Sequence, residues 1–338
     1  MTWSAAHLAA VHERVVTRSL RWRHFSWYWG DAIAIDGLLA AQPDVAGTAR
    51  EAVVGQLDVW ARTAPDDYDD VLAPGLAAVT LARTGELDAH AADRFFASLD
   101  RVPVLACGLP SLEPQRIAFR FGFCVDALYH LPSAYAALGV WRGDQDRVAA
   151  GVDIALRGVE VLTCPTGWGQ WYDDTIERNN QIAWSRGVGW AVLGLVDLLA
   201  ELDGSPAATR HRAQLEDLTA TMLDRLAGTQ EPDGNWAAVL DDELAPSETS
   251  TAAFYVAAAR HPRVASISTP PASVLAAAEA AVVAAVGPDG IVTGASADIL
   301  PAFAIDGYRN FACEPSPWAQ GAVLRALAVM RDARGAAG

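Results

Sequence analysis

The stretch IAWSRGVGW, residues 182–190, sets an arginine between two tryptophans and follows it closely with two glycines. A solvated helix has no use for the indoles, and a purely apolar helix has no use for Arg186. Trp190 lies four residues after Arg186, so on a helix the two share a face. Gly187 and Gly189 let backbone or ligand come close. Trp184, Arg186 and Trp190 therefore suit a pocket for a flat, ring-shaped anion, with the guanidinium fork matching a carboxylate. The same spelling also suits an arginine that pairs with a structural acid at a helix end.

Outward from it, the chain is built of Ala/Leu/Val-rich segments. Examples are AIAIDGLLAAQ (32–42), GLAAVTLARTG (75–85), VDALYHLPSAYAALG (125–139), GWAVLGLVDLLAELDG (189–204) and GAVLRALAVMRDA (321–333). Apolar residues recur at i, i+3, i+4 and i+7 with few charges, the pattern of helices buried over much of their surface. Long β-branched alternation is nearly absent, and the fold class reads as all-α. A repeat is visible. EPDGNW (231–236) and GPDGIV (287–292) place Asp233 and Asp289 about 56 residues apart, room for a pair of helices with loops, and about six such units fill the chain. Aromatic-glycine signatures recur as WYWGD (27–31), WSRG (184–187) and WAQG (318–321), each where a loop runs into a helix. Pro-Asp-Gly alone is a common turn. Together the signals predict six helical hairpins closing into an (α/α)6 barrel. The best linker candidate, SISTPPASV (266–274), is short enough for a surface loop, so one domain is expected over 1–338, with the barrel proper about 20–332.

Composition narrows the function. With 338 residues and 52% hydrophobic content the chain can bury a large core. No apolar run reaches the length of a membrane span, and MTWSAAHLAAVHERVV shows no signal-peptide pattern. No membrane association and a cytoplasmic location are expected. Cys107, Cys124, Cys164 and Cys313 form no CxxC pair, which argues against a zinc site or a disulfide framework. A net charge of -16 argues against nucleic acid as a partner and makes any anionic substrate depend on local arginines such as Arg186.

Two acid settings stand out. Asp126 is flanked by Phe121, Phe123, Val125, Leu128 and Tyr129, so desolvation should raise its pKa, as a proton donor at neutral pH requires. An N-cap role, or pairing with Arg116 or Arg120, accounts for it as well. In PDDYDDVLAPG (65–75), Asp66 and Asp67 read as loop acids, whereas Asp70 precedes an apolar stretch and is the one expected to point inward. DYDD in that loop also spells the D-x-D-D of protonating terpene cyclases. Twelve tryptophans are many for so Ala-rich a chain. Trp27, Trp29, Trp168, Trp171, Trp184, Trp190, Trp236 and Trp318 sit beside glycine or polar residues, a set that suits stacking on sugar rings.

At this point the chain resembles the unsaturated uronyl hydrolases, glycoside hydrolase families 88 and 105. WSRGVGW resembles their W-G-R-G-N-G-W signature, and VDALYHLPSAYAALG resembles the acid-bearing W-x-D-x-L-[YF]-M-x-x-P motif. WYWGDAIAIDGLLA, DDVLAPGLAAVTLARTGE, TQEPDGNWAAVLDDELAPSETSTAAFYVAA and PWAQGAVLRAL follow the family's order, over about residues 25–330. The resemblance implies an (α/α)6 barrel. It implies protonation and hydration of the C4=C5 double bond of a Δ4,5-unsaturated uronic acid at the non-reducing end of an oligosaccharide, with no metal or organic cofactor. By position it makes Asp126 the general acid/base and Asp70 the second aspartate. Arg186 and Trp190 become substrate contacts, and Trp29 and Trp184 pocket aromatics; Trp171 and Tyr172 are further substrate-binding candidates. The chain departs from the pattern in places. TGWGQWYDDT carries Gln170, Trp171 and Tyr172 where the family has a histidine, Gln115 stands near a second family histidine, and Val188 and His130 replace Asn and Met. A more apolar or differently shaped substrate fits these departures. Two other readings stay open: the same acid protonating a non-sugar alkene in a tailoring reaction, and a binding protein without turnover. The partner is a small molecule or oligosaccharide, and the chain is a monomer or homodimer.

Overall fold

The computed structural model describes residues 3–22, 29–41, 43–63, 75–111, 119–204 and 210–335. Among them, six helices form an inner ring: α2 (Trp29–Ala40), α4 (Gly75–Arg83), α7 (Pro132–Arg142), α9 (Ser185–Glu201), α11 (Thr249–Ala259) and α14 (Pro317–Gly335). Each packs on the next, and α14 returns to α2, so the ring is closed. Six further helices stand outside it: α1 (Ala5–Ser19), α3 (Pro43–Thr63), α5 (Ala89–Leu99), α8 (Gln145–Leu162), α10 (Arg212–Gly228) and α12 (Ala272–Ala284). Outer and inner helices alternate along the chain, which makes an (α/α)6 barrel. The barrel starts before residue 20, because α1 packs on α14 and α2 as the first outer helix.

The sequence texture follows from these positions. An inner helix has neighbours all round, so α9 is buried from Ser185 to Leu199 and α11 from Thr249 to Ala258. An outer helix has one covered face. In α8 that face is Val148, Gly151, Val152, Ala155, Gly158, Val159 and Leu162, at helical spacing. The two Pro-Asp-Gly turns are structural equivalents. Each follows an outer helix, α10 or α12, and leads towards the next inner one. In each, the aspartate Oδ1 accepts a backbone N–H two residues on: Asn235 N at 2.9 Å from Asp233 and Ile291 N at 3.1 Å from Asp289. Gly234 and Gly290 take positive φ of 91° and 80°.

Short strands interrupt the all-α pattern, all in loops that lead into inner helices. β1 (Gly122–Cys124) pairs antiparallel with β4 (Trp171–Asp173), and β4 with β5 (Arg178–Asn179). β2 (Thr163–Cys164) pairs with β3 (Gly167–Trp168), and β6 (Trp236–Ala237) with β7 (Ser247–Glu248). A single helical turn, α6 (Ala127–His130), precedes α7, and another, α13 (Asp306–Arg309), lies between α12 and α14. Deeper in the ring, Arg325 on α14 makes a bidentate pair with Asp197 on α9 at 2.6 and 2.7 Å. Tyr129 OH donates to Asp36 on α2 at 2.6 Å. Burial pushes the Asp36 carboxyl up to about 6, against the pull of Arg325. No helix among the described residues is long and apolar enough to cross a membrane.

Ring closure depends on glycine at the α2–α14 seam. A Cβ on Gly37 would stand 2.7 Å from the Gly321 carbonyl oxygen, and one on Gly321 2.3 Å from the Ile33 carbonyl oxygen. Backbone, not a flexible side chain, would have to move. Gly321→Ala is therefore expected to lower the unfolding free energy by about 2 kcal/mol or more in denaturant titration. Gly55→Ala, on an exposed face of α3 with nothing within 4 Å, is expected to be neutral or to stabilise by up to about 1 kcal/mol.

Candidate active site

Asp126 sits at the junction of β1 and α6. The Val125 N–H donates to the Gln170 carbonyl at 2.8 Å, which pins the junction to the neighbouring loop. Asp126 occupies the N-cap position of α6, yet its side chain caps nothing. The carboxyl is 7% exposed. Oδ2 accepts the Cys124 thiol at 2.6 Å, and Oδ1 has no hydrogen-bond partner among the described residues. Burial holds the carboxyl above the usual carboxylate range. The Cys124 hydrogen bond and the charge of Arg186 pull the other way, and the charge of Asp298 adds to the rise. Pairing with Arg120 is not the arrangement found: that guanidinium is exposed and stacks 4.4 Å from the Phe121 ring.

Arg186 is placed by its glycines. A Cβ on Gly187 would fall 2.4 Å from Val125 Cγ1, and one on Gly189 2.8 Å from Phe254 Cβ. What comes close to this backbone is the acid's own neighbour on one side and α11 on the other. Arg186 is 0% exposed. Its Nη1 donates to the Ser296 carbonyl at 2.5 Å and its Nη2 to the Ala297 carbonyl at 2.9 Å. Its guanidinium carbon lies 4.3 Å from the Trp184 ring, 5.4 Å from Trp318 and 6.0 Å from Trp29. These three indoles are the aromatic-glycine signatures at the starts of α9, α14 and α2. Glu248, buried at the start of α11, has its Oε2 3.9 Å from Arg186 Nη1. The sequence reading gave the Arg186 fork to a substrate carboxylate; in the structure Nη1 and Nη2 each hold a backbone carbonyl with one of their N–H groups.

The carbonyls belong to a strap, residues 296–302, fastened along its length. Glu248 Oε2 accepts the Ser296 N–H at 3.0 Å and also the Ser296 hydroxyl. Trp318 Nε1 donates to the Ser296 carbonyl at 3.1 Å. Gln170 Nε2 donates to the Ile299 carbonyl at 3.1 Å, while its Oε1 accepts the Tyr308 hydroxyl. Asn180 Nδ2 donates to the Ala302 carbonyl at 2.8 Å and to Tyr308 OH at 3.0 Å. Burial pushes the Tyr308 phenol far up, so it stays a neutral donor. The strap carries Asp298, exposed and electrostatically coupled to Asp126.

Aromatic rings floor the region. Trp190 lies 6.2 Å from Trp29, 5.1 Å from His130, 4.8 Å from Tyr129 and 4.6 Å from Phe254, centroid to centroid. Trp184 Nε1, Trp190 Nε1 and His130 Nε2 are buried without a partner among the described residues, as Asp126 Oδ1 is. Burial pushes His130 down to about 3, so the ring is neutral.

Of the residues singled out by sequence, Asp126, Trp184, Arg186, Trp190 and Trp29 lie at this end of the ring. Trp171 lies beside them: it registers opposite Cys124 in the sheet, covers Gly122 and meets Phe119 edge-on at 5.6 Å. Tyr172 does not join them. It is the next residue of β4 and points to the other face. Burial raises its phenol there, with the charges of Cys107, Asp174 and Arg157 around it. Asp70, the rest of the 66–70 cluster, Gln115 and Arg116 lie outside the described residues. Sequence reasoning missed Cys124, Glu248, Asp298 and Tyr308. Glu248 carries a signal, an acid directly before the Thr-Ser-Thr that opens α11. Asp298 carries none. No cluster of His, Cys, Asp and Glu able to hold a metal ion occurs among the described residues.

Solved structures share this architecture. A possible member of glycoside hydrolase family 105 from Salmonella enterica superposes with a TM-score of 0.84 at 17% identity, over 98% of this chain and 96% of that one. One from Klebsiella pneumoniae gives 0.82 at 18% identity, over 98% and 95%. The unsaturated glucuronyl hydrolase from a Bacillus species, responsible for degradation of glycosaminoglycan, gives 0.72 at 14% identity, over 98% and 97%. No curated protein sequence matches significantly. The sequence profile of Glycosyl Hydrolase Family 88 matches residues 124–333, from Cys124 through the whole strap and into α14, and the chain belongs to that family of glycoside hydrolases.

Proposed function

We propose that the protein hydrates the C4=C5 double bond of a Δ4,5-unsaturated uronic acid at the non-reducing end of an oligosaccharide. The observation that carries this reading is Asp126: a buried carboxyl, raised above its ordinary range, with one oxygen unpartnered among the described residues. A vinyl ether is protonated at carbon by a neutral acid, and burial that raises a carboxyl favours its neutral form. Asp126 gives its proton to C4. The positive charge that develops at C5 is shared with the ring oxygen. Water adds at C5 and returns a proton to the Asp126 carboxylate. The hemiketal so formed opens, and the aglycone sugar leaves.

Trp29, Trp184 and Trp190 offer flat faces for the sugar, and Trp171 stands at the edge. Asp70 is the second aspartate of this reading, assigned by the family motif alone. Arg186 acts on the acid through space and on the site through the strap, rather than by gripping the uronate. Tyr172, the remaining substrate-binding candidate, is left out of this reading because it lies on the other face of β4.

One observation favours a second reading. Arg186, Gln170 and Asn180 all hold the strap, which leaves few polar side chains among the described residues to bind sugar hydroxyls. A less hydroxylated alkene, protonated by the same Asp126, fits such a site. Mass spectrometry separates the two: hydration adds the mass of water, whereas isomerisation or cyclisation adds none.

The direct test follows the ultraviolet absorbance of the conjugated double bond with lyase-generated oligosaccharides. Loss of absorbance is expected with wild type. Asp126→Asn is expected to lower kcat/KM by about 10²- to 10⁴-fold with the fold intact by circular dichroism. Activity is expected to fall as pH rises through the Asp126 pKa, because only the protonated acid delivers. Folded wild-type protein that leaves the absorbance unchanged across several such substrates contradicts the proposal.

A further inference from the structure

The unused chemistry nearest the acid is a thiol. Cys124 and Asp126 are both buried, and the Sγ–H donates to Oδ2. The geometry is fixed by the sheet. Cys124 registers opposite Trp171, and the ring of Trp171 lies over Gly122, two residues earlier on the same face of β1. The thiol is therefore held towards the carboxyl. The family's acid motif writes tryptophan two residues before the acid, where this chain writes Cys124. An indole N–H and a thiol both donate, but a thiol is far smaller and lies directly against its neighbour.

A carboxylic acid carries one proton on one of two oxygens. An oxygen that already accepts a hydrogen bond behaves as the carbonyl oxygen, and the proton resides on the other. We propose that Cys124 is a positioning residue whose thiol occupies Oδ2 of Asp126 and thereby keeps the transferable proton on Oδ1, the oxygen without a partner among the described residues. This rests on Asp126 being the acid of the proposed reaction. The balance closes without a redox change. The Oδ1–H bond breaks as the C4–H bond forms, Asp126 becomes a carboxylate, and the water that adds at C5 restores the Oδ1–H bond. The thiol keeps its own hydrogen throughout. Its bond to Oδ2 strengthens as negative charge develops on Asp126, because hydrogen bonds to ionised acceptors are the stronger ones. It thus favours the transition state over the ground state.

Among the described residues, the other groups coupled electrostatically to Asp126 are Arg186 from α9, Asp298 from the strap and Tyr308 from α13, and His130 lies one turn along α6. Arg186 stabilises the ionised carboxyl and Asp298 opposes it. His130 stays neutral, with its pKa pushed down to about 3. Tyr308 stays protonated. The alkaline limb of activity therefore reports Asp126, and changing Cys124 removes the hydrogen bond to Oδ2.

The test compares wild type, Cys124→Ala and Cys124→Ser. The pH profile of kcat/KM is measured on lyase-generated unsaturated oligosaccharides. In parallel, the infrared carbonyl band of protonated Asp126 is titrated, each protein being referenced to its own Asp126→Asn counterpart. With Cys124→Ala the donor is lost. The alkaline limb and the infrared titration are expected to move up by about one pH unit, with kcat down about tenfold and KM nearly unchanged. Cys124→Ser, a donor of similar size, is expected to restore both to wild-type values or slightly below. A purely structural role would lower activity without moving either titration. Cys124→Ala titrating like wild type overturns the proposal. If wild type gives no turnover while the infrared titration still shifts, the hydrolase reading fails and the thiol contact stands. An unshifted infrared titration removes the thiol contact whatever the turnover.

Discussion

A fully buried guanidinium is the constraint around which this end of the molecule is organised. Removing a guanidinium from water is tolerable only if its donors find acceptors and its charge finds a counter-charge. The Nη1 and Nη2 donors of Arg186 find the carbonyls of Ser296 and Ala297, and its charge finds Glu248. Its faces meet Trp184, Trp318 and Trp29. Those rings stand at the starts of α9, α14 and α2, and Glu248 stands at the start of α11. Four of the six inner helices therefore converge on one side chain, and they can do so only when the ring is closed. The seam at Gly37 and Gly321 and the cluster around Arg186 are two views of one requirement.

The same guanidinium sets the conditions at the acid. Gly187 lets Val125 approach α9, and this brings Asp126 within the field of Arg186. Burial raises the carboxyl, the cation and the thiol restrain the rise, and Asp298 on the strap adds to it. Since Arg186 also holds the strap, it governs both the proton affinity of Asp126 and the position of the second charge that tunes it. That is a different use of an arginine from gripping a substrate.

The fold was legible because it is written in short-range signals. Helices surrounded on all sides must be apolar all round, and α9 and α11 are. Pro-Asp-Gly turns and tryptophans at helix starts recur because successive hairpins solve the same local problem. The burial of Asp126 was legible for a similar reason: it lies among apolar neighbours in sequence, and the structure buries it. What sequence hid is long-range. Nothing near Arg186 in the chain announces that its acceptors are carbonyls 110 and 111 residues on. Gln170 stood out as the replacement for a family histidine, but its task, joining Ile299 to Tyr308, is visible only in three dimensions. Tyr172 was misplaced because a three-residue strand is too short to show its alternation, so two adjacent aromatics looked like one wall. Asp298 sits in an irregular loop with no pattern to mark it.

The most direct measurement is hydrogen–deuterium exchange of the amides in residues 296–302, compared between wild type and Arg186→Lys. A lysine keeps the charge but cannot serve two carbonyls with a planar fork. If the guanidinium fastens the strap, those amides exchange at least about tenfold faster in the variant while amides deep in α9 and α11 stay protected. Unchanged exchange across 296–302 in a folded Arg186→Lys protein would mean that the strap stands without it, and that Arg186 does not organise this end of the ring.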